Sequence, residues 1–283
     1  MSGYLQLKLL FVAFTIGVTS AYYNAPVPHT AGVPWPLPQQ MHCANDTNLT
    51  VASSFRFVYA GKCKIVQRAI MRWANVIFPP KGVQPKISDA DSVADAPVFR
   101  QISIQTPDTC EEWPHFGMDE SYSLTIVEDS PDNSNLTATS VWGILRGLAT
   151  FSQLFLYVGP NPKSLPVQIR ACTVNDWPRF EHRGILVDTS RHYLPVEVLL
   201  DNLDLMESDK YNVFHWHIVD DQSFPFVSVV FPEMSGKGAY SPAHVYTPTD
   251  VSTIVAAARD RGIRVVVEFD SPAVTRLHSL VRT

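Results

Sequence analysis

Hydrophobic and polar positions are most regularly ordered between Arg183 and Phe226. An apolar run, Gly184 to Asp188, ends in the polar cluster Thr189-Ser190-Arg191-His192-Tyr193. An amphipathic stretch, Val196 to Ser208, follows. A second apolar and aromatic run, Val213 to Val219, then ends in Asp220-Asp221. The pattern predicts strand, helix, strand, with reactive side chains collected after each strand. In parallel α/β folds that edge is where ligands bind. Farther on, Thr247-Pro248-Thr249-Asp250 combines a hydroxyl cap, a proline at the first helical position and an acid at the third. Val251, Ile254, Val255 and Ala258 form one helical face, and Gly262 ends the helix. Ile263 to Phe269 is a third strand whose composition predicts burial on both sides. This alternation predicts a parallel sheet with right-handed crossovers. The segment Asp221 to Tyr246 carries Pro225, Pro232 and Pro242. A loop of that length in a compact domain is usually functional or mobile.

Upstream the order is different. Tyr22 to Gln40 is a proline-rich, extended lead-in. Phe55 to Ala60 reads as a strand. Residues 63–78 read as a helix with Val66, Ala69, Ile70 and Trp73 on one face, stopped by Pro79-Pro80. Val98 to Ile104 and Tyr122 to Glu128 alternate as strands, and Pro131 to Ser134 is turn material. Ser140 caps a long helix from Val141 to Tyr157, closed by Gly159-Pro160. Pro166 to Cys172 is one more strand. Residues 35–170 therefore read as an α+β module, with a boundary near residues 175–181.

The chain has 283 residues, 46% of them hydrophobic, which is enough for a sizeable core in one or two domains. A net charge of -5 without a basic face argues against nucleic acid as a partner. Residues 1–20 read as a secretory signal: Lys8 supplies the positive end, Leu9 to Val18 the apolar core, and small residues follow. No later run reaches the ~20 apolar residues of a transmembrane helix. Three sequons, at Asn45, Asn48 and Asn135, fit a secretory route as glycosylation sites. Four cysteines, Cys43, Cys63, Cys110 and Cys172, allow three pairings in an oxidising lumen. No two stand at zinc-site spacing, so no metal is expected.

Each candidate for chemistry has a competing structural reading. The Arg191 guanidinium could fork onto two sugar hydroxyls or a carboxylate, or form a salt bridge with Asp188. Asp220 and Asp221 could bind hydroxyls or act as acid and base, and Asp221 is better read as a cap. His215 and His217 share one strand face and read as hydrogen-bonded core histidines rather than zinc ligands. Glu268 and Asp270 share a face at the end of the third strand. They could line a pocket or pin neighbouring loops. Asp119-Glu120 is the only Asp-Glu dipeptide, but it lies amid polar residues in the first module and reads as a solvated loop.

Three blocks resemble glycoside hydrolase family 20, in particular the eukaryotic lysosomal-type β-N-acetylhexosaminidases. They are Val141 to Leu154 (VWGILRGLATFSQL), Arg183 to Tyr193 (RGILVDTSRHY) and Asn212 to Asp221 (NVFHWHIVDD). The resemblance implies an α+β domain over residues 34–175 and an incomplete TIM (β/α)8 barrel over residues 182–272. Residues 273–283 would be a divergent tail. It also implies substrate-binding roles for Arg191 and Asp220, and a Cys63–Cys110 disulfide, leaving Cys43 and Cys172 without assigned partners. The family's reaction removes terminal β-linked N-acetylhexosamine from glycoproteins, glycolipids or oligosaccharides. It is substrate-assisted and retaining, an exception to the two-carboxylate scheme, and needs no cofactor. The lysosome is the first destination implied and secretion the second. A homodimer, or a heterodimer with a full-length subunit, is the partner implied.

The sequence departs from the family pattern in two places. Asp270-Ser271-Pro272-Ala273-Val274 lacks the histidine expected at position 274, and the family's Gly-Gly-Asp-Glu catalytic segment does not appear. Roughly 100 residues follow Arg183, against the ~250 typical of the barrel. The expectation is a truncated chain with no catalytic Asp-Glu pair and negligible activity alone. The alternative from a different class is a non-catalytic glycoprotein that binds glycans or a subunit.

Overall fold

The computed structural model describes residues 33–78, 98–107, 109–157 and 167–270. The signal at residues 1–20, the stops at Pro79-Pro80 and Gly159-Pro160, and the tail at 273–283 lie outside the described residues. The described residues from Pro34 onward form one compact unit. It holds two sheets, each with its own apolar cluster.

The first sheet contains β1 (Gln40–Val58), β2 (Val98–Gln105), β3 (Tyr122–Thr125), β4 (Asn135–Thr137), β5 (Phe155–Tyr157) and β6 (Val167–Asp176). The strand order is β1-β2-β4-β3-β6-β5, with β1 also pairing β6. β1 is far longer than the strand expected at 55–60. Its first half runs antiparallel to β6 and its second half parallel to β2. Cys43 and Cys172 face each other in the β1–β6 register and are disulfide-bonded. A second disulfide joins Cys63 to Cys110. Asn45 and Asn48 lie in β1, and Asn135 opens β4.

Two helices pack on this sheet. α1 (Lys64–Ile77) buries Ile65, Val66, Ala69, Trp73 and Ile77, the stripe its periodicity predicts. α2 (Val141–Gln153) is buried all round from Val141 to Phe151, as suits a helix with little polar face. Its cap is Ser140, whose hydroxyl accepts from the Trp142 and Gly143 N–H groups at 3.1 Å each. The helix ends at Gln153, short of the expected Tyr157. Phe155 to Tyr157 pair with β6 instead, and Phe155 packs edge-on to Phe151 at 5.0 Å. Sheet hydrogen bonds and aromatic packing here override a run that could have continued as helix. β3 also ends early, at Thr125 rather than Glu128, because the Val127 N–H turns to the Ser134 hydroxyl at 3.0 Å.

The second sheet is parallel, in the order β7 (Gly184–Asp188), β8 (Val213–Val219), β9 (Arg264–Phe269). α3 (Val196–Ser208) connects β7 to β8. The β8–β9 connection carries the short α4 (Glu233–Gly238) and then α5 (Pro248–Asp260). β8 is buried along almost its whole length. β9 is not buried on both sides as expected: Val266 and Val267 are about 40% exposed (43% and 41%). Among the described residues β9 is an edge strand, with no further strand paired on its far side.

The start of α5 forms the full capping box. The Asp250 N–H donates to the Thr247 hydroxyl at 3.2 Å, and the Thr247 N–H donates to the Asp250 carboxylate at 2.8 Å. Thr247→Ala is expected to lower stability by about 1 kcal/mol, read as a lower urea midpoint at unchanged slope.

Candidate functional site

The residues after β7, β8 and β9 converge at one edge of the parallel sheet. Lateral register brings this about, because His217 of β8 is the cross-strand partner of both Asp188 and Glu268. Arg191, Asp220 and Asp270 extend just past the three strand ends.

Arg191 is held on three sides. Nη1 donates to Asp188 Oδ2 at 2.6 Å, Nε donates to Gln222 Oε1 at 2.7 Å, and Nη2 pairs with Asp220 Oδ2. Its side chain is nevertheless 39% exposed, while Asp220 is fully buried. Arg191 could fork onto two sugar hydroxyls or a carboxylate, or form a salt bridge with Asp188; the structure contains the Asp188 salt bridge and adds an ion pair with Asp220. The Asp188 hydrogen bond is the chief reason that the Arg191 pKa is raised. Burial would raise the Asp188 pKa, but hydrogen bonds from the Arg191 and Ser190 N–H groups and the Arg191 side chain outweigh it and hold it low.

The two loops carrying this pair are tied by a reciprocal clasp. The Ser190 hydroxyl donates to the Ser223 carbonyl at 2.9 Å, and the Ser223 hydroxyl donates to the Ser190 carbonyl at 2.7 Å. The Asp220 N–H donates to the Ser190 hydroxyl at 2.8 Å. Asp221 sits behind, its N–H donating to Asp220 Oδ1 at 2.6 Å. Both serines are buried, so the clasp resists exchange with water.

The two histidines differ. His215 Nε2 lies 2.7 Å from Glu268 Oε2 in a half-exposed pair. His217 is buried and lies directly beneath Arg191 and Asp220. A core reading of His217 matched its burial and missed its neighbours. The readable signal is its place near the strand's C-terminal end, four positions after Val213. Gln222 carried no sequence signal beyond its proximity to Asp220. His217, Glu268 and Asp270 could together offer a metal ion three donor atoms within 4.8 Å of one another. Glu268 is already engaged by His215, and the Arg191 cation stands beside the cluster.

Glu120 is not in a solvated loop. It is 3% exposed and lies where the two sheets meet. Its carboxylate accepts from Arg146 Nε at 2.7 Å, Arg183 Nη2 at 2.6 Å and Asn212 Nδ2 at 3.0 Å. Three donors on distant parts of the chain make the dipeptide structural, and charge pattern alone could not show them. Arg146 also reaches across to the Arg261 and Gly262 carbonyls at 3.1 and 2.8 Å. A cavity of about 170 Å³ opens beside this seam, against Leu37, Trp177 and Phe180. Among the charged groups that line it, Glu120 pairs with Arg146 and Arg183, and Asp176 with Lys210. It is separate from the strand-end cluster.

Comparison with known proteins agrees with this architecture. Residues 180–280 match the glycosyl hydrolase family 20 catalytic domain, and residues 34–154 match the beta-acetyl hexosaminidase like domain. Beta-hexosaminidase subunit beta of Rattus norvegicus is 41% identical over 250 residues, covering 86% of this chain and 45% of that protein. Subunit alpha of Bos taurus is 40% identical over 255 residues, covering 85% and 45%. The crystal structure of a Flavobacterium johnsoniae chitobiase superposes with a TM-score of 0.68 at 30% identity, covering 84% of this chain and 34% of that one. The parallel sheet is thus an incomplete (β/α)8 barrel that carries its polar cluster at the strand ends. The chain belongs to glycosyl hydrolase family 20. It spans a little under half the length of these curated relatives.

Proposed function

We propose that these residues supply the hydroxyl-gripping side of a β-N-acetylhexosaminidase active site. The observation that carries this reading is the Arg191–Asp220 pair at the sheet's C-terminal edge. The arginine is exposed enough to meet a ligand, yet three acceptors fix its fork. A preset guanidinium beside a buried carboxylate offers donors and an acceptor to adjacent hydroxyls of a terminal sugar. The reaction served is substrate-assisted hydrolysis of a terminal β-linked N-acetylhexosamine. In it the substrate's acetamido oxygen attacks the anomeric carbon and configuration is retained. Glu120 is not the proton donor. Burial would raise its pKa, but Arg146 and Arg183 outweigh that and keep it low, so it stays ionised.

The same reading carries a secretory route to the lysosome, glycans at Asn45, Asn48 and Asn135, and assembly with a hexosaminidase subunit. No helix of the described residues is long and apolar enough to cross a membrane.

The test is binding of N-acetylglucosamine to the whole chain, followed by saturation-transfer NMR. Arg191→Ala is expected to weaken binding at least about tenfold, the scale of losing one charge-assisted hydrogen bond. Equal binding by the variant, or none by the unaltered chain, would refute the reading.

A further inference from the structure

His217 touches both members of the proposed sugar-binding pair. Its Nδ1 lies 3.3 Å from Arg191 Nη1. A guanidinium has donors only, so Nδ1 must present its lone pair to make this contact. The proton of the neutral ring then sits on Nε2. On that side the ring faces two carboxylates, with Asp220 Oδ2 and Asp270 Oδ2 each 3.5 Å from Nε2. Nε2 is buried and has no closer partner. Asp188 and Glu268 stand farther off, at 4.0 and 3.9 Å from Nδ1.

We propose that His217 is a positioning residue for sugar recognition. Resting on the reading above, it acts as a neutral imidazole protonated on Nε2. Its Nδ1 accepts from Arg191, and its Nε2–H is directed between Asp220 and Asp270. One rigid ring thereby fixes the arginine fork relative to the Asp220 carboxylate. The other polarity fails: a proton on Nδ1 would set two donors against each other at 3.3 Å. The ring is suited to this because β8 is paired on both sides, to β7 and to β9, which holds its backbone, and because the imidazole itself is buried, which restricts its rotation. A long arginine side chain has many rotamers to lose, and a fixed acceptor beneath it removes that freedom before ligand arrives.

Two measurements test the proposal. The first is independent of any sugar. Long-range proton–nitrogen NMR of the unaltered chain should show His217 protonated at Nε2 and bare at Nδ1. Arg191→Ala should shift that tautomer balance. A proton on Nδ1 in the unaltered chain would overturn the assignment.

The second measures N-acetylglucosamine binding. His217→Phe keeps a ring of similar size and removes both nitrogens, and about tenfold weaker binding is expected. His217→Asn returns an acceptor near the Nδ1 position and should recover part of the loss at similar thermal stability. A purely structural histidine would not give that order. If the unaltered chain and His217→Phe bind equally well, the His217 role is wrong and the Arg191–Asp220 reading survives. If the unaltered chain does not bind the sugar at all, that reading fails and takes the His217 role in recognition with it.

Discussion

Glu120→Gln is expected to destabilise the chain by about 3–5 kcal/mol, the cost of breaking a buried ion pair from one side. The substitution keeps the side chain's shape and removes its charge. Arg146, only 2% exposed, and Arg183 would then share a buried site without an anion. An amide has only one acceptor oxygen: placed toward Arg146 and Arg183, which share Oε1, it turns its NH2 toward the Asn212 donor, and flipped it turns that NH2 toward both guanidinium groups. The effect falls on the junction of the two sheets, because Glu120 precedes β3 whereas Arg183 and Asn212 precede β7 and β8. Chemical unfolding should therefore show a large fall in midpoint. The acid limb gives a second reading. The folded Glu120 pKa is lowered from its ordinary value of 4.5. Its contribution is present above about 4.5 and is lost as pH falls through the lower folded value. The gap between wild type and Glu120→Gln should thus close below pH 4.5. A gap that stays constant into acid would show that the carboxylate charge is not what holds the junction.

The legible parts of the molecule are those written in local chemistry. Thr247, Pro248 and Asp250 specify a helix start with their own side chains, and Ser140 does the same for α2. The runs at 184–188 and 213–219 reveal strands through composition and through the polar residues that end them. Placing Arg191 and Asp220 together required only the rule that parallel strands gather their C-terminal residues. What was not legible depends on partners far along the chain. The first half of β1 is polar and lacks a strand signature, and its partner is β6, joined through Cys43 and Cys172. Phe155 to Tyr157 could continue a helix, and only the open edge of β6 makes them a strand. Glu120 looks solvated until Arg146, Arg183 and Asn212 close on it. His217 looks like core, and it is buried, but its neighbours are Arg191 and Asp220 rather than an apolar cluster.

Lys210 offers the second large effect, and two opposed terms decide it. The residue ends α3 with φ 58°, a left-handed position where glycine or asparagine is usual. A side chain there costs about 1 kcal/mol. Lysine is kept despite this because its ammonium reaches Asp176 at 2.7 Å and the Tyr122 hydroxyl at 2.9 Å, in a buried site. Burial lowers the lysine pKa and the Asp176 charge opposes that shift without cancelling it. Burial, aided by the same Asp176 charge, pushes the Tyr122 phenol well up, so it remains a donor. Lys210→Gly relieves the backbone but leaves Asp176 with only neutral donors, Tyr122 and the Gln39 N–H. Losing the buried cation costs about 3–5 kcal/mol, which exceeds the relief. A net loss of about 2–4 kcal/mol is expected. Lys210→Met removes the same charge and keeps the strain, so it should be less stable than Lys210→Gly by about 1 kcal/mol. Adding Asp176→Asn to Lys210→Met should recover part of the deficit, because the orphaned anion is then gone. Equilibrium unfolding of the four proteins measures each step. Should Lys210→Gly prove more stable than wild type, backbone strain would outweigh the ion pair, and Lys210 would not fasten the second sheet to the first.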